Sequence, residues 1–221
     1  MTARSLLHIT QDFWQDESGA SLVEFSLVVT LFLFFLFGMV DFGRIGHAWV
    51  GANKATQLAA RLAAVRPPAC AGVPALNVRG TTTTILNFGS LCRAGSGVCA
   101  NPGTIRCLGD ATNPTAQEIF TAIRPLLPAG TTIRQMRYSY AFDPNLGFLG
   151  GPYVPMVTVE FTRRDNEAIA GETDVPFIFV SQLGFFVSAL TGAASTLGQP
   201  LVLPRMSVSL PGEDLALGTD G

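Results

Sequence analysis

The sequence predicts an α+β protein in which a long N-terminal helix packs on a small antiparallel sheet with a disulfide-containing insert. Three observations lead to this fold class. An apolar run near the N-terminus continues as an amphipathic stripe up to Pro67, four cysteines lie close together in mid-chain, and three later segments alternate apolar with polar side chains. The chain of 221 residues is long enough for one domain beyond the apolar run.

The first element is a transmembrane segment at residues 20–40. A helix of this length would measure about 31 Å, which matches the roughly 30 Å hydrocarbon core of a bilayer. Glu24 is its only charged residue. A buried core helix is the alternative, but such helices are rarely apolar on every face at this length. A cleavable secretory signal fits less well, because the residues before the run are acidic and the run is longer than such signals require.

We expect the same helix to continue through residues 41–66. Apolar and small side chains recur there at helical spacing, namely Ile45, Trp49, Ala52, Thr56, Ala59 and Ala63. Pro67 and Pro68 would then end a helix of about 45 residues. Its second half is amphipathic and needs a surface to cover the apolar stripe. The alternative is a simple bitopic anchor with a helical stalk.

Residues 67–112 form a turn-rich region that contains all the cysteines, Cys70, Cys92, Cys99 and Cys107. Two disulfides are the favoured interpretation, with three connectivities left open. Inert thiols are the first alternative. A zinc site is the weakest, because the CxxC pairs are missing and the only histidines, His8 and His47, are distant in sequence. Disulfides would place this region in an oxidising compartment. Residues 81–88 are a candidate strand.

Residues 113–210 should form a helix and an antiparallel sheet. Asn113 can cap a helix whose first turn contains Pro114. Alternation predicts a β-hairpin with one buried face, from residues 136–142 and 157–162, and a third strand at residues 205–210.

Residues 175–204 carry no charge and come close to the hydrophobicity of a second span. Their polar content favours instead a helix or loop lying on the sheet or on the membrane surface. Residues 211–221 are expected to be a flexible tail.

Charge and motifs exclude several classes of protein. The formal net charge of −2 comes from the first 19 residues, and the remainder carries 13 basic and 13 acidic side chains, 14 less Arg4 and 16 less three acidic residues. Without a basic stripe, no nucleic-acid partner is expected. The sequence lacks HExxH, GxSxG and a phosphate-binding glycine loop. We therefore predict no catalytic residues, no metal site and no cofactor.

Gly19, Ala20, Glu24 and Phe25 together resemble a prepilin processing site, with a carboxylate at the fifth position after the glycine and an aromatic residue at the sixth. With the downstream segment Asp41-Phe-Gly-Arg44 and the alanine-rich helix, residues 16–66 resemble the TadE-like minor pilins, or pseudopilins, of tight-adherence (Tad/Flp) pilus systems. The resemblance implies a pilin-like fold and a role in pilus assembly.

The resemblance also implies roles for individual residues. Residues 1–19 would be a leader that a prepilin peptidase removes after Gly19, where the missing side chain allows close approach of the backbone. Ala20 would become the new N-terminus, and Glu24 of a neighbouring subunit would pair with its ammonium group, next to Phe25. A Glu24 that reaches the lipid headgroups without a partner is the alternative. Further partners would be other pilin or pseudopilin subunits, the inner-membrane assembly platform and the lipid bilayer.

The expected location is the inner (cytoplasmic) membrane, with one span, an extracytoplasmic C-terminal domain and incorporation in a pilus as a later stage. A literal positive-inside count gives the opposite orientation, since Arg4 alone precedes the span while Arg44 and Lys54 follow it. The processing pattern and the cysteines favour the first orientation. The alternative function is an unprocessed bitopic binding or adhesion protein anchored in the membrane.

Overall fold

The computed structural model describes residues 19–83, 85–161, 181–192, 206–213 and 215. Its helices and strands, in chain order, are α1 (Ala20–Val65), β1 (Thr104–Leu108), α2 (Pro114–Ile123), β2 (Met136–Ala141), β3 (Met156–Phe161), α3 (Gln182–Thr191) and β4 (Met206–Pro211). The chain divides into two compact units, residues 1–45 with 180–199 and residues 46–179 with 200–221. The predicted α+β class is confirmed.

Helix α1 is continuous over 46 residues, as the sequence predicts. It is long and apolar enough to cross a membrane, and none of the residues in its apolar window is buried. The helix ends just before Pro67, which has no amide hydrogen to continue it. One N-terminal helix of this kind fits a single-pass membrane anchor.

The second half of α1 packs on the sheet through small side chains. Five alanines on one face have no exposed surface, namely Ala52, Ala55, Ala59, Ala60 and Ala63. Four of them, all but Ala52, join one hydrophobic core with Tyr138 and Tyr140 of β2 and Val157 and Val159 of β3. Trp49, which the sequence pattern placed on this face, is exposed. Alanine therefore lets the helix backbone lie close to the large side chains of the sheet.

The sheet has the strand order β1-β2-β3-β4, and all neighbouring strands are antiparallel. The predicted hairpin and third strand are confirmed as β2, β3 and β4. Strand β1 is an additional strand within residues 67–112, and its short sequence around Arg106 shows no clean alternation.

The prediction of one buried face is correct for β3 but wrong for β2, which is buried at residues 136–140 on both faces. On the face away from the core, Arg137 pairs with Glu160 on β3, directly opposite in the register. This ion pair neutralises the buried guanidinium. A strand whose sequence alternates apolar and polar side chains can therefore be buried on both faces at residues 136–140.

Helix α2 begins as predicted. The Asn113 side-chain oxygen accepts a hydrogen bond from Ala116 N at 3.0 Å, and Pro114 is the first helical residue. Ile119 and Ile123 lie one turn apart and are fully buried in the main core. The cap and the apolar face thus position this helix together.

Two disulfides join the four cysteines, which confirms the favoured interpretation and selects one of the three connectivities. Cys70 pairs with Cys107, tying the turn after α1 to β1, and Cys92 pairs with Cys99 within the insert. The second bridge belongs to a small separate cluster with Val98 and Leu149.

The candidate strand at residues 81–88 is wrong, since residues 81–83 and 85–88 contain no strand. Backbone hydrogen bonds to the loop at residues 97–98 fix the start of this segment instead. Gly80 N donates to Val98 O and Thr82 N to Gly97 O, each at 3.0 Å. A pair of loop contacts satisfies these amides without an extended ladder.

Of the uncharged segment at residues 175–204, the structure describes residues 181–192. The others, 175–180 and 193–204, lie outside the described ranges. Residues 181–192 contain a helix, α3, which at ten residues is far too short to cross a bilayer of roughly 30 Å. A helix, one of the two predicted forms, is thus present at these residues, whereas its predicted position on the sheet or on the membrane surface stays a prediction. The predicted tail starts with ordered residues, because Pro211 ends β4 and Gly212 N donates to Pro155 O at 2.8 Å.

Candidate functional site

The predicted cleavage point coincides with the start of α1. Gly19 immediately precedes the helix, Ala20 is its first residue, and both are exposed. A side chain placed on Gly19 would meet no atom within 4 Å. Among the described residues nothing therefore crowds the Cα of Gly19, and the predicted leader, residues 1–18, lies outside them.

Glu24 lies one helical turn after Ala20. Residues four apart lie on the same face of a helix, about 6 Å apart along its axis, so a new amino terminus at Ala20 would share a face with the Glu24 carboxylate. The surroundings are apolar and open, with Leu22 at 72% and Phe25 at 69% exposure. Among the residues that the structure describes, Glu24 makes no hydrogen bond or ion pair.

Two hydroxyl groups in the apolar half of α1 bond to the helix itself. Ser26 Oγ donates to Val23 O at 2.8 Å, and Thr30 Oγ1 donates to Ser26 O at 2.7 Å. These groups need no outside partner in an apolar environment. The Glu24 carboxylate cannot donate to a backbone carbonyl of its own helix in this way, because an ionised carboxylate only accepts hydrogen bonds. It is therefore the group in this stretch that calls for a partner.

A second carboxylate, Asp41, lies where the predicted span ends and is bound at the start of α3. Its oxygens accept hydrogen bonds from Ser181 Oγ at 2.6 Å, Gln182 N at 2.9 Å and Leu183 N at 2.8 Å. We call this arrangement the Asp41 clasp. Arg44 lies at 3.8 Å from the carboxylate, and Asp41 itself is only 6% exposed.

The clasp keeps Asp41 charged. Burial alone would raise the pKa of the Asp41 carboxyl, but the hydrogen bonds from Ser181, Leu183 and Gln182, together with the charge of Arg44, hold that pKa below its ordinary value of 3.8. A negative charge at a helix N-terminus is also favoured by the helix dipole. Asp41 and the start of α3 therefore stabilise each other.

Sequence reasoning noted Asp41 only within a family-like segment and gave it no role. Two signals pointed to the clasp: a lone acid at the end of a long apolar run, and Ser181, a good N-cap residue, inside an uncharged stretch. Nothing local joins them, because Asp41 and Ser181 are 140 positions apart.

The cysteines and acids do not form a metal site in the part of the chain that the structure describes, where no group of three or more His, Cys, Asp or Glu side chains is suitably placed. The four predicted disulfide cysteines are all paired with each other. They stabilise the domain rather than contribute to the N-terminal site.

Comparison with known proteins gives one match. Residues 19–61 match the family model described as TadE-like protein, a range that begins at the predicted cleavage glycine and includes Glu24 and Asp41. No curated protein and no solved structure matches the chain. Over residues 19–61 the chain is thus similar to TadE-like proteins.

Proposed function

We propose that this protein is a minor pilin, or pseudopilin, that acts in the assembly of a Tad-type pilus after a prepilin peptidase has cleaved it behind Gly19. The observation that carries the proposal is the position of Glu24: an exposed carboxylate that has no partner among the described residues and lies one turn after Ala20, the first residue of α1. The TadE-like match, which starts at residue 19, supports it.

Cleavage at this point is chemically reasonable. A peptidase must hold the scissile segment extended, and Gly19 offers backbone freedom and no side chain to clear. The bond joins Gly19, which lies in a 3₁₀ turn, to Ala20, the first residue of α1. Cleavage converts the amide of Ala20 into an ammonium group at the N-terminus of α1.

The new ammonium group explains the use of Glu24. A free charge among apolar helices costs several kcal/mol unless it is paired. Ammonium and carboxylate lie about one turn apart on one face, so a neighbouring subunit displaced by one turn can bring its Glu24 against Ala20. A wrong displacement leaves both charges unpaired, and the pair therefore sets the register between subunits. Phe25 would pack beside it.

The same proposal assigns location and partners. The span at residues 20–40 would hold the subunit in the inner membrane, with the disulfide-containing domain on the extracytoplasmic side, where disulfides form readily. The partners would be the prepilin peptidase, other pilin subunits and the assembly platform of the membrane.

The mature N-terminus tests the proposal. Full-length chain is expressed with a prepilin peptidase and without it, and the N-terminal peptide is identified by mass spectrometry. We expect Ala20 as the first residue only when the peptidase is present. A Gly19→Val variant should stay uncleaved, whereas Gly38→Ala, a glycine change later in the same helix, should be cleaved normally. An intact Met1 in the presence of an active peptidase, or cleavage beyond the span, would contradict the proposal.

A further inference from the structure

Helix α3 is unusual in having no charged residue and an exposed apolar side. Phe185 is 74% exposed and Leu190 56% exposed. On the side towards α1, the Phe186 ring lies 5.2 Å from the Phe37 ring, measured between centroids. The helix thus contacts the predicted span through Phe186 and leaves Phe185 exposed beside it. Leu190, four residues after Phe186, lies on the Phe186 face near the end of the helix and is also exposed.

The two contacts fix the direction of α3 beside α1. Gln182 and Leu183, at the start of α3, bind Asp41, and Phe186, one turn further along α3, meets Phe37, one turn earlier on α1. The two helices therefore run in opposite directions. From the level of Asp41, α3 extends back along the apolar half of α1 for about 15 Å, half the thickness of a hydrocarbon core.

A stripe of partly covered residues on α1 follows the same path as α3. Val29, Leu33, Phe37 and Asp41 recur every four residues, and each is more covered than most of its neighbours on the helix. Their levels span about 18 Å of helix. This is close to the length of α3, so the partly covered stripe is consistent with a short helix alongside it.

The start of α3 suits backbone that enters a bilayer, where each N–H and C=O needs an internal partner. The N–H groups of Gln182 and Leu183 bind Asp41, that of Gly184 binds Ser181 Oγ, and that of Phe185 binds Ser181 O. The first three are amides that a helix normally leaves to water, and the fourth makes the first regular bond of the helix.

The other end of α3 stops at a glycine. Gly192, in a left-handed conformation, donates its N–H to Ser188 O at 2.9 Å, and Thr191 Oγ1 donates to Val187 O at 2.8 Å. Both are bonds of the helix to itself and mark its end at Gly192.

We infer that α3 is a re-entrant membrane helix: it enters the bilayer beside α1, from the level of Asp41, and lipid chains cover its exposed apolar side. The inference rests on the proposed span at residues 20–40, whose lipid-facing surface continues onto α3. The Asp41 clasp holds the entry point, because the first amides of α3 bind a carboxylate that directly follows the span. Two separate segments of the sequence, the span and α3, would then be inserted in the bilayer.

Depth-dependent fluorescence quenching tests the inference. All four cysteines are paired, so a new cysteine can be labelled alone. Full-length Phe185→Cys and Leu190→Cys variants, labelled with a small fluorophore, are reconstituted in phosphatidylcholine vesicles that contain nitroxide lipids labelled at the headgroup or deep in the chain. We expect the deep nitroxide to quench position 190 most and position 185 less, with a depth difference of about 7 Å for five helical residues.

Two controls separate this inference from the span on which it rests. Val28→Cys on α1 should be quenched by the deep nitroxide, and Ser207→Cys on β4 should be quenched by neither. Quenching at Val28 without quenching at 185 and 190 would overturn the re-entrant helix and leave the span intact, and it is the result expected if protein covers α3. Equal, shallow depths at 185 and 190 would also overturn it. Loss of quenching at Val28 would refute the span itself.

The clasp is tested in the same system. Asp41→Asn should release α3, so the probe at position 190 should lose its preference for the deep nitroxide. Asp110→Asn is a matched control, since Asp110 accepts a hydrogen bond from Thr112 N at 2.9 Å in the other unit and should leave the probe unchanged. Unchanged deep quenching in Asp41→Asn would overturn the role given to Asp41.

Discussion

Two carboxylates on one helix stand in opposite environments. Asp41 is buried and accepts three hydrogen bonds, whereas Glu24 is exposed and unpaired among the described residues. A carboxylate that is already satisfied contributes to the fold of its own chain. One that is left open in apolar surroundings is available to another charge. The contrast assigns Asp41 to the subunit and Glu24 to the proposed contact between subunits.

Replacing Glu24 with glutamine keeps the size of the side chain and removes its charge. In Glu24→Gln we expect cleavage after Gly19 to continue, because that bond lies more than a turn away, and pilus assembly to fail, because the Ala20 ammonium loses its counter-charge. Immunoblotting of processed chain and counting of pili by electron microscopy measure the two effects.

Ser26→Ala is the matched control, since the Ser26 hydroxyl bonds only to its own helix and its loss should leave pilus number unchanged. Normal pilus number in Glu24→Gln would refute the pairing role and leave the cleavage proposal standing.

Residue-scale features differ in how far the sequence reveals them. The spacing of Gly19, Ala20 and Glu24 within one short segment is enough to predict a cleavage and pairing site, which stays a prediction, and the structure puts the start of α1 at Ala20. The Asp41 clasp is not predictable in this way, because a carboxylate bound by backbone amides depends on which distant helix start arrives beside it. The cap formed by Asn113 is predictable, because the amide that it binds, Ala116 N, is only three residues away in the sequence.

At the scale of elements, α1 owes its packing to small residues. Its buried face is built from alanines, and Gly51 makes the closest approach: a methyl group there would lie 2.5 Å from the Leu126 carbonyl oxygen. Gly46 is an earlier glycine of the same helix with no atom within 4 Å of the same position. The two glycines therefore separate intrinsic helix propensity from packing.

We expect opposite results from the same substitution at these two positions. Gly46→Ala should stabilise the protein by up to about 1 kcal/mol, since alanine favours the helix. Gly51→Ala should destabilise it by about 1–3 kcal/mol, because α1 must move away from Leu126. Thermal unfolding of the detergent-solubilised full chain, followed by circular dichroism, compares them. A higher melting temperature for Gly51→Ala would show that the contact with Leu126 is not tight.

The strands show the limit of pattern at this scale. Alternation identifies β2, β3 and β4 because each carries at least three apolar residues at every second position. Alternation does not identify strand β1, because its short sequence has no regular hydrophobic period. Its position depends on the Cys70–Cys107 disulfide and on pairing with β2. Residues 81–88 show the opposite error: β-branched residues suggest a strand, but loop hydrogen bonds take their amides.

At the scale of the whole molecule, the two disulfides secure different parts of the domain formed by residues 46–179 and 200–221. Cys70–Cys107 spans 37 positions and lies in or against the main core, whereas Cys92–Cys99 spans 7 positions and lies in the small cluster of the insert. The chain-entropy model gives about 4 kcal/mol for the longer loop and about 2.5 kcal/mol for the shorter. The first bridge should therefore matter for the whole domain and the second for the insert.

Removing each bridge in turn tests this division. The Cys70→Ala, Cys107→Ala double variant should lower the melting temperature of the domain and increase hydrogen exchange throughout the sheet. The Cys92→Ala, Cys99→Ala double variant should cost less and confine the faster exchange to the insert, because the helix α1 and the sheet keep their core. Hydrogen exchange read by mass spectrometry on the full chain in detergent separates the two patterns. Faster exchange of β2 and β3 in the Cys92–Cys99 variant would show that the insert and the sheet unfold as one cooperative structure, in which case the small cluster supports the main core directly.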